Sequence, residues 1–417
     1  MSVFKKNNFL IFSWGLYDLA NQFFALNVIS LYFVQWLTLE KQAPEILYSI
    51  SFGISTFFVA FFAPVLGTIS DLTARRRPFL VFLTMIAVAF TMFLGIGKIL
   101  PALIFFIIAN FGCQTAIVFY NAMLVNIAPK NKIGLVSGIG KMFGYSGAII
   151  ALLLIKPVVL KSGYQATFLP TGILFFIFAL PCMVFVKDKQ PRGRIEIFKF
   201  LKKEKIRQIF KSLKETATNT ARFPGLLDFL KASFFGLCAV NAVILFMSVY
   251  ASRAFGLDKS EVMVLITFST FFAILGSIAS GFISDYVGHK KSMCAVFILW
   301  GLCFFIGAFS KNFYLYRVIG AIVGIALGST WVVSRALAIR LVPEEKIGEV
   351  FGLFNLVGYL SAIVGALFWG LLLLLLSSFG EWGYRMTLLS LTVFMLLGFY
   401  FLMRIPTPSK IKSRDGS

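Results

Sequence analysis

Stretches of eighteen or more predominantly apolar residues recur along nearly the whole 417-residue chain, and each is long enough to cross about 30 Å of hydrocarbon. A transmembrane β-barrel would need alternating segments of about ten residues. Runs such as Leu371 to Leu376 show no alternation. The chain therefore reads as an all-α integral membrane protein. Its composition agrees: 59% of residues are hydrophobic and 13% charged, against roughly 25% charged in a soluble domain.

Spanning helices are expected at Phe9 to Val34, Ile46 to Ser70, Phe79 to Gly97, Leu100 to Asn126, Leu135 to Ile155 and Thr167 to Val186. Six more are expected at Lys231 to Ser252, Val262 to Ser284, Ser292 to Phe309, Phe313 to Ile339, Val350 to Leu376 and Met386 to Met403. Lys5 and Lys6 precede the first apolar segment, but Asp18, Asn21 and Gln22 interrupt it and no cleavage site follows. A retained first helix is expected, not a cleaved signal peptide. The implied organisation is a six-helix bundle over residues 1–186, a basic linker over 187–228, a second bundle over 229–403 and a tail over 404–417.

Two copies of one motif tie the halves together. Gly67, Asp71 and the cluster Arg75, Arg76 and Arg77 return 214 residues later as Gly281, Asp285, Gly288, Lys290 and Lys291. Each copy reads as a helix end, a tight turn and the next helix start. The segment from Asn121 to Gly134 matches Arg335 to Gly348 at the same offset, and Gly138, Gly144 and Tyr145 pair with Gly352, Gly358 and Tyr359. One offset over two distant regions implies a duplication in parallel orientation.

The net charge of +22 does not point to nucleic acid, because the positive residues sit in short loops, the linker and the tail. With twelve spans, the N-terminus, linker and tail share one side. That side carries about 28 of the 39 Lys and Arg residues against about nine on the other, so it is expected to be cytoplasmic in a plasma or inner membrane. The linker holds twelve of them. Within it, Ile206, Ile209, Phe210 and Leu213 share a helical face with lysines and Arg207 around the rest. The pattern fits an amphipathic helix in the headgroup region and fits a solvated basic linker equally well.

On these motifs the chain resembles the major facilitator superfamily over essentially all twelve spans. The family pattern in the loop after the second helix of each half is Gly-x-x-x-Asp-x-x-Gly-x-Arg/Lys-Arg/Lys. The second copy matches it in full, and the first carries Ala74 at the second Gly. A narrower resemblance is to the vacuole-effluxer-like branch, which includes fungal vacuolar amino-acid exporters and bacterial relatives. Tyr17-Asp18-Leu19-Ala20-Asn21 and the segment from Tyr120 to Tyr145 carry it, while Leu237-Cys238 stands where relatives often have Asn-Asp. The resemblance implies alternating access about a central cavity bordered by the first, fourth, seventh and tenth helices.

An ionisable group in hydrocarbon costs at least about 2.5–3.5 kcal/mol on insertion scales, so each needs a partner or a role. Asp18 lies near mid-membrane, with Asn21 and Gln22 on the same helical face. Asn110, Gln114 and Asn121 fall near one stripe of the fourth helix. Lys141 and Arg335 supply cations on the fifth and tenth. Across the duplication Asn121 corresponds to Arg335 and Lys141 to Asn355, so each pair holds one cation and one amide. Arg335 and Lys141 are expected to contact a carboxylate or phosphate, and Asp18 a substrate amine or a coupling proton. A structural ion pair between Asp18 and either cation is the alternative. Asn27, Asn110, Asn241 and Asn355 read more simply as interhelical hydrogen-bond partners. The motif loop is expected to gate, with Gly67 and Gly281 allowing close packing and Asp71 and Asp285 holding ion pairs that break on opening.

Cys113, Cys182, Cys238, Cys294 and Cys303 lack metal or disulfide spacing, and His289 has no second His or Cys nearby. No Walker-type motif occurs, and no cofactor, metal or enzymatic activity is expected. The expected function is secondary or facilitative transport by a monomer of an amino acid or other carboxylate metabolite. Export of lipid or drug-like amphiphiles, and a transport-incompetent sensor of the same fold, are the alternatives.

Overall fold

The computed structural model describes residues 2–73, 75–96, 98–127, 133–188, 204, 207–208, 211, 223–310, 313–341 and 347–406. Among them, twelve helices are long and apolar enough to cross a membrane. We number them α1 (Ser2–Phe24), α2 (Glu45–Thr73), α3 (Arg77–Phe93), α4 (Ile99–Ala122), α5 (Ile133–Ser162), α6 (Phe168–Phe185), α7 (Leu226–Phe255), α8 (Lys259–Val287), α9 (His289–Phe309), α10 (Phe313–Arg340), α11 (Ile347–Leu375) and α12 (Glu381–Arg404). They correspond one to one with the twelve expected spans. The amphipathic linker segment lies outside the described residues except for positions 204, 207, 208 and 211, which are helical.

Three ends differ from expectation for identifiable reasons. Beyond Val34 the first span continues to Glu40, because α1 passes into a π segment (Ala25–Leu31), one α turn (Tyr32–Gln35) and a second π segment (Trp36–Glu40). The i→i+5 pattern of a π segment misaligns backbone carbonyls with their usual partners. Side chains collect them: Tyr48 donates to the Ile29 carbonyl at 2.5 Å and Ser248 to that of Ser30 at 2.9 Å. The α5 helix runs past Pro157 to Ser162 and stops at Gly163, whose φ of +79° suits a left-handed cap and whose N–H reaches the Val159 carbonyl. At the start of α12, Glu381 pulls the helix boundary ahead of the expected Met386 and places Arg385 inside it.

The chain divides into two compact units. The first comprises residues 1–209, 245–249 and 258–263; the second comprises 210–244, 250–257 and 264–417. In the first, α1 packs on α5 and α6, and α4 on both α2 and α3. Asn27 donates to Thr171 at 3.3 Å and Asn110 to Ser55 at 2.7 Å, so both serve as interhelical hydrogen-bond partners. Lys259 stands 4.3 Å from the centre of the Tyr164 ring. Burial, then the nearby Glu40 and Asp258 charges, lift the Tyr164 phenol above its ordinary range and keep it neutral.

In the second unit α9 packs on α10 and α12. Asn241 donates to Ser361 at 3.3 Å, repeating the role of Asn27 with a different partner helix. Two glycines of α10 face backbone: Gly324 and Gly328 leave no room for a Cβ against the Ser269 and Ala273 carbonyls of α8. Arg385, 3% exposed, is a residue the sequence did not single out. Its Nη1 donates to the carbonyls of Ala308 at 3.0 Å and Ser310 at 2.5 Å, its Nη2 to Ala254 at 2.9 Å, and its Nε to Glu381 at 2.7 Å. One guanidinium thus joins the ends of α7, α9 and α12.

Candidate functional site

The first unit holds a polar cluster where α1 crosses α5. Trp14, Asp18 and Asn21 lie at i, i+4 and i+7 on α1, a spacing that puts them on one helical stripe. Opposite them, α5 has shed side chains. A Cβ on Gly140 would come within 2.5 Å of the Trp14 ring, and one on Gly147 within 2.7 Å of the Leu19 backbone. At Gly144 the nearest neighbour is the Asp18 carboxyl, 3.4 Å away. Glycine spacing on α5 therefore sets how closely the only acid near the middle of a span is approached.

Aromatic rings from α1 and α4 wall the cluster. Tyr120 stacks on Trp14 with centroids 4.5 Å apart and on Tyr17 at 4.9 Å. Trp14 Nε1 donates to the Tyr120 carbonyl at 3.1 Å, and the Tyr17 and Thr84 hydroxyls share a 2.5 Å hydrogen bond. The Tyr120 hydroxyl itself points toward Gly140, 3.4 Å from where its Cβ would stand. Asp18 is 6% exposed, Asn21 4% and Tyr120 1%. Neither amide atom of Asn21, nor the Tyr120 hydroxyl, has a hydrogen-bond partner among the described residues. Unpartnered buried polar atoms also occur elsewhere among the described residues, at Asn27 Oδ1, Trp36 Nε1, Asn110 Oδ1 and Tyr316 Oη among others; here they lie on the helix that carries a buried carboxyl and on the helix that faces it.

The other expected site residues fall into four groups. Gln22 and Gln114 are half-buried on α1 and α4. Asn121, Arg335 and Asn355 are exposed, whereas Asn110 is fully buried and bonded to Ser55. For Lys141 the helical backbone is described but the side chain is not. The structure thus sets the Asp18 carboxyl and the Tyr120 hydroxyl against Gly144 and Gly140, one turn apart on α5, and Tyr120 is a residue the sequence offered only as part of a motif. Its signal was available: a Tyr-Asn pair on the polar stripe of α4.

The duplicated motif has local work of its own. In the first unit, the Asp188 carboxylate accepts from the backbone N–H of Arg76 at 3.0 Å and of Arg77 at 3.2 Å, capping the start of α3. Arg76 donates to the Ala122 carbonyl at 2.9 Å, and Arg77 to that of Met183 at 2.6 Å. In the second unit Lys290 donates to the carbonyls of Met403 at 3.0 Å and Ile405 at 2.5 Å. Cations thus sit on the unsatisfied carbonyls at the ends of α4, α6 and α12. Arg75 and Lys291 are half-buried and exposed respectively. Gly288 has φ +100°, a left-handed conformation that explains the glycine. Asp285 lies 3.9 Å from His289. A Cβ on Gly281 would meet only Val332 at 3.9 Å. The Gly67 and Asp71 side-chain positions and Ala74 lie outside the described residues.

This arrangement of twelve spanning helices is that of a known class of membrane transporter. The Major Facilitator Superfamily model matches residues 19–252 and 229–417, and the chain belongs to that superfamily of transporters. An uncharacterised protein of Aquifex aeolicus is 26% identical over 94% of this chain and 96% of its own length. The uncharacterised MFS-type transporter YxiO of Bacillus subtilis is 26% identical over 85% and 86%. Among solved structures, a bacterial homolog of the human lysosomal transporter Spinster aligns with a TM-score of 0.75 at 13% identity, covering 97% of this chain and 99% of that one. The nucleoside transporter NupG aligns at 0.74 and 14%, covering 95% and 99%. At these identities the structures share the fold alone.

Proposed function

We propose that this transporter moves a small polar solute by alternating access, with an amino acid or another carboxylate-bearing metabolite as the preferred cargo. The observation that carries the reading is the cluster at the α1–α5 crossing: a buried carboxylate on a helix whose Asn21, with Tyr120 of α4, has buried polar atoms without a hydrogen-bond partner among the described residues. An unsatisfied buried group costs about 1–3 kcal/mol, a penalty a polar solute would relieve. Lys141 and Arg335 are the cations proposed to meet the anionic end of the cargo. The Tyr17-Asp18-x-Ala20-Asn21 signature is the basis for placing the chain in the vacuole-effluxer-like branch. The excess of Lys and Arg beside the linker and tail supports a cytoplasmic location for both termini.

The test is uptake into proteoliposomes across a panel of amino acids, carboxylic acids, nucleosides and short peptides, with and without a pH gradient. Saturable uptake of an amino or carboxylic acid, abolished in Asp18→Asn at equal reconstitution, is expected. Transport of the same cargo at the wild-type rate by Asp18→Asn would sink the site assignment.

A further inference from the structure

Two cations of the second unit, at the end where α7 begins and α12 stops, rest on aromatic rings and leave their donors unused. Lys231 Nζ stands 5.5 Å from the centre of the Phe401 ring, and the Arg404 guanidinium carbon 5.6 Å from that of Tyr400. The two rings are themselves neighbours, with centroids 5.3 Å apart. We propose that Lys231, Arg404 and the exposed face of α12 that leads away from them form a binding site for an anionic phospholipid, its phosphate held by the cations and an acyl chain lying along the helix. The site is separate from the α1–α5 cluster and independent of the cargo.

Neighbouring cations show what sets these two apart. Lys290, at the start of α9, reaches the same end of α12, but its ammonium donates to the Met403 and Ile405 carbonyls. Lys41, Lys259 and Arg385 also stand over rings, yet the Trp36 and Tyr164 rings under the first two are buried and Arg385 is buried itself. Lys231, Arg404 and Tyr400 are all exposed. Neither cationic side chain makes a hydrogen bond or an ion pair among the described residues, and Asp228, one turn before Lys231 on α7, makes no ion pair with it. A ring beneath a cation holds it in place without using its N–H donors, which stay available to a phosphate.

The position suits a headgroup. At 1.5 Å per residue the 30 residues of α7 span about 45 Å, against about 30 Å of hydrocarbon, so its first turns stand among headgroups. Gly225, just before α7, lies against Ile405, just past the end of α12, which sets the two helix ends level. Along α12, Val393, Leu396, Tyr400 and Met403 follow at i, i+3, i+7 and i+10, one helical stripe, and each is more than half exposed. An apolar stripe accepts any lipid tail; the cations at its end select a negative headgroup. A zwitterionic headgroup would bring its own ammonium against Lys231 and Arg404, whereas an anionic one brings only the charge they lack.

The test reads the thermal midpoint of the purified full chain in detergent with added dioleoylphosphatidylglycerol, dioleoylphosphatidylcholine or inorganic phosphate. Phosphatidylglycerol is expected to raise the midpoint by about 2 °C or more beyond phosphatidylcholine, and inorganic phosphate to have no such effect. The increment should shrink as sodium chloride is added. Lys231→Gln combined with Arg404→Gln should remove most of the increment, and Lys231→Arg combined with Arg404→Lys should keep the larger part of it. Lys161→Gln, which removes an exposed cation at the end of α5, should leave it unchanged. A purely structural role for the two cations predicts instead a lower midpoint without lipid and an undiminished increment in the Gln pair. That result, an equal increment from phosphatidylcholine or from phosphate, or an equal loss in Lys161→Gln overturns the proposal. So does a wild-type increment that salt does not diminish, a measurement that needs no variant to fold.

Discussion

The Asp18 carboxyl stands 3.4 Å from where a Cβ on Gly144 would lie, closer than any other group to that position. A methyl there is tolerable sterically but presses directly on the acid. One turn away the situation differs, because a Cβ on Gly140 would enter the Trp14 ring. Gly144→Ala should therefore fold and reconstitute normally yet transport poorly. Gly140→Ala should lose stability by about 1–3 kcal/mol through overpacking. Thermal midpoints and uptake measured on both variants check the contrast, and equal destabilisation of the two would contradict it.

Arg385 supports the opposite kind of prediction. Replacing it with Met leaves the Ala254, Ala308 and Ser310 carbonyls without their donor, at about 1–3 kcal/mol for each buried group left unsatisfied. Arg385→Met should lower the thermal midpoint strongly. Arg385→Lys, which keeps the charge but not the planar fork, should recover only part of it. Glu381 is half-exposed, so Glu381→Gln should change stability by no more than about 1 kcal/mol. Uptake per folded molecule should be preserved in all three.

The Asp188 carboxylate caps the first turn of α3 from the start of the linker. Asp188→Ala should cost about 0.5–2 kcal/mol, as loss of a helix cap does. Its local signature is faster amide exchange at residues 76–80, with the rate at 381–385 in the second unit unchanged. Uniform acceleration across both units would show that the residue acts globally.

Three asparagines at helix contacts are expected to be nearly silent. Asn27, Asn110 and Asn241 each make one interhelical hydrogen bond, an interaction averaging about 0.6 kcal/mol in membrane helices. Their Leu variants should retain substrate selectivity, with midpoints close to wild type. A selectivity change in Asn110→Leu would restore that residue to the binding site.

The spans were legible because hydrocarbon imposes length and polarity so strictly that apolar runs between charges mark each helix. The duplication was legible because one offset related two motifs. What the sequence left hidden depended on contacts between distant residues. Arg385 looked like a loop residue outside the twelfth span; only the Glu381 start of α12 draws it inward onto carbonyls from three helices. Asp188 read as the second residue of a linker, and its hold on α3 needs the end of α6 to lie beside that helix. Asn21 and Asn110 looked alike, two amides on polar stripes. What separates them is a single neighbour, Ser55, which accepts from Asn110 Nδ2, whereas Asn110 Oδ1 and both amide atoms of Asn21 have no hydrogen-bond partner among the described residues.

The π segments after Phe24 alter the bookkeeping of faces along the first span. Each i→i+5 turn consumes more residues than an α turn, so the angular register set by Trp14, Asp18 and Asn21 does not extend to Asn27, Gln35 or Thr38. A helical wheel drawn straight through the span would assign these residues to the wrong sides. The accessibility of single cysteines stepped along residues 12–40 should show its periodicity slip between positions 25 and 31. The upper part of the span is then free to serve the packing of its own unit while the lower part presents its acid to α5, two orientations written into one continuous rod.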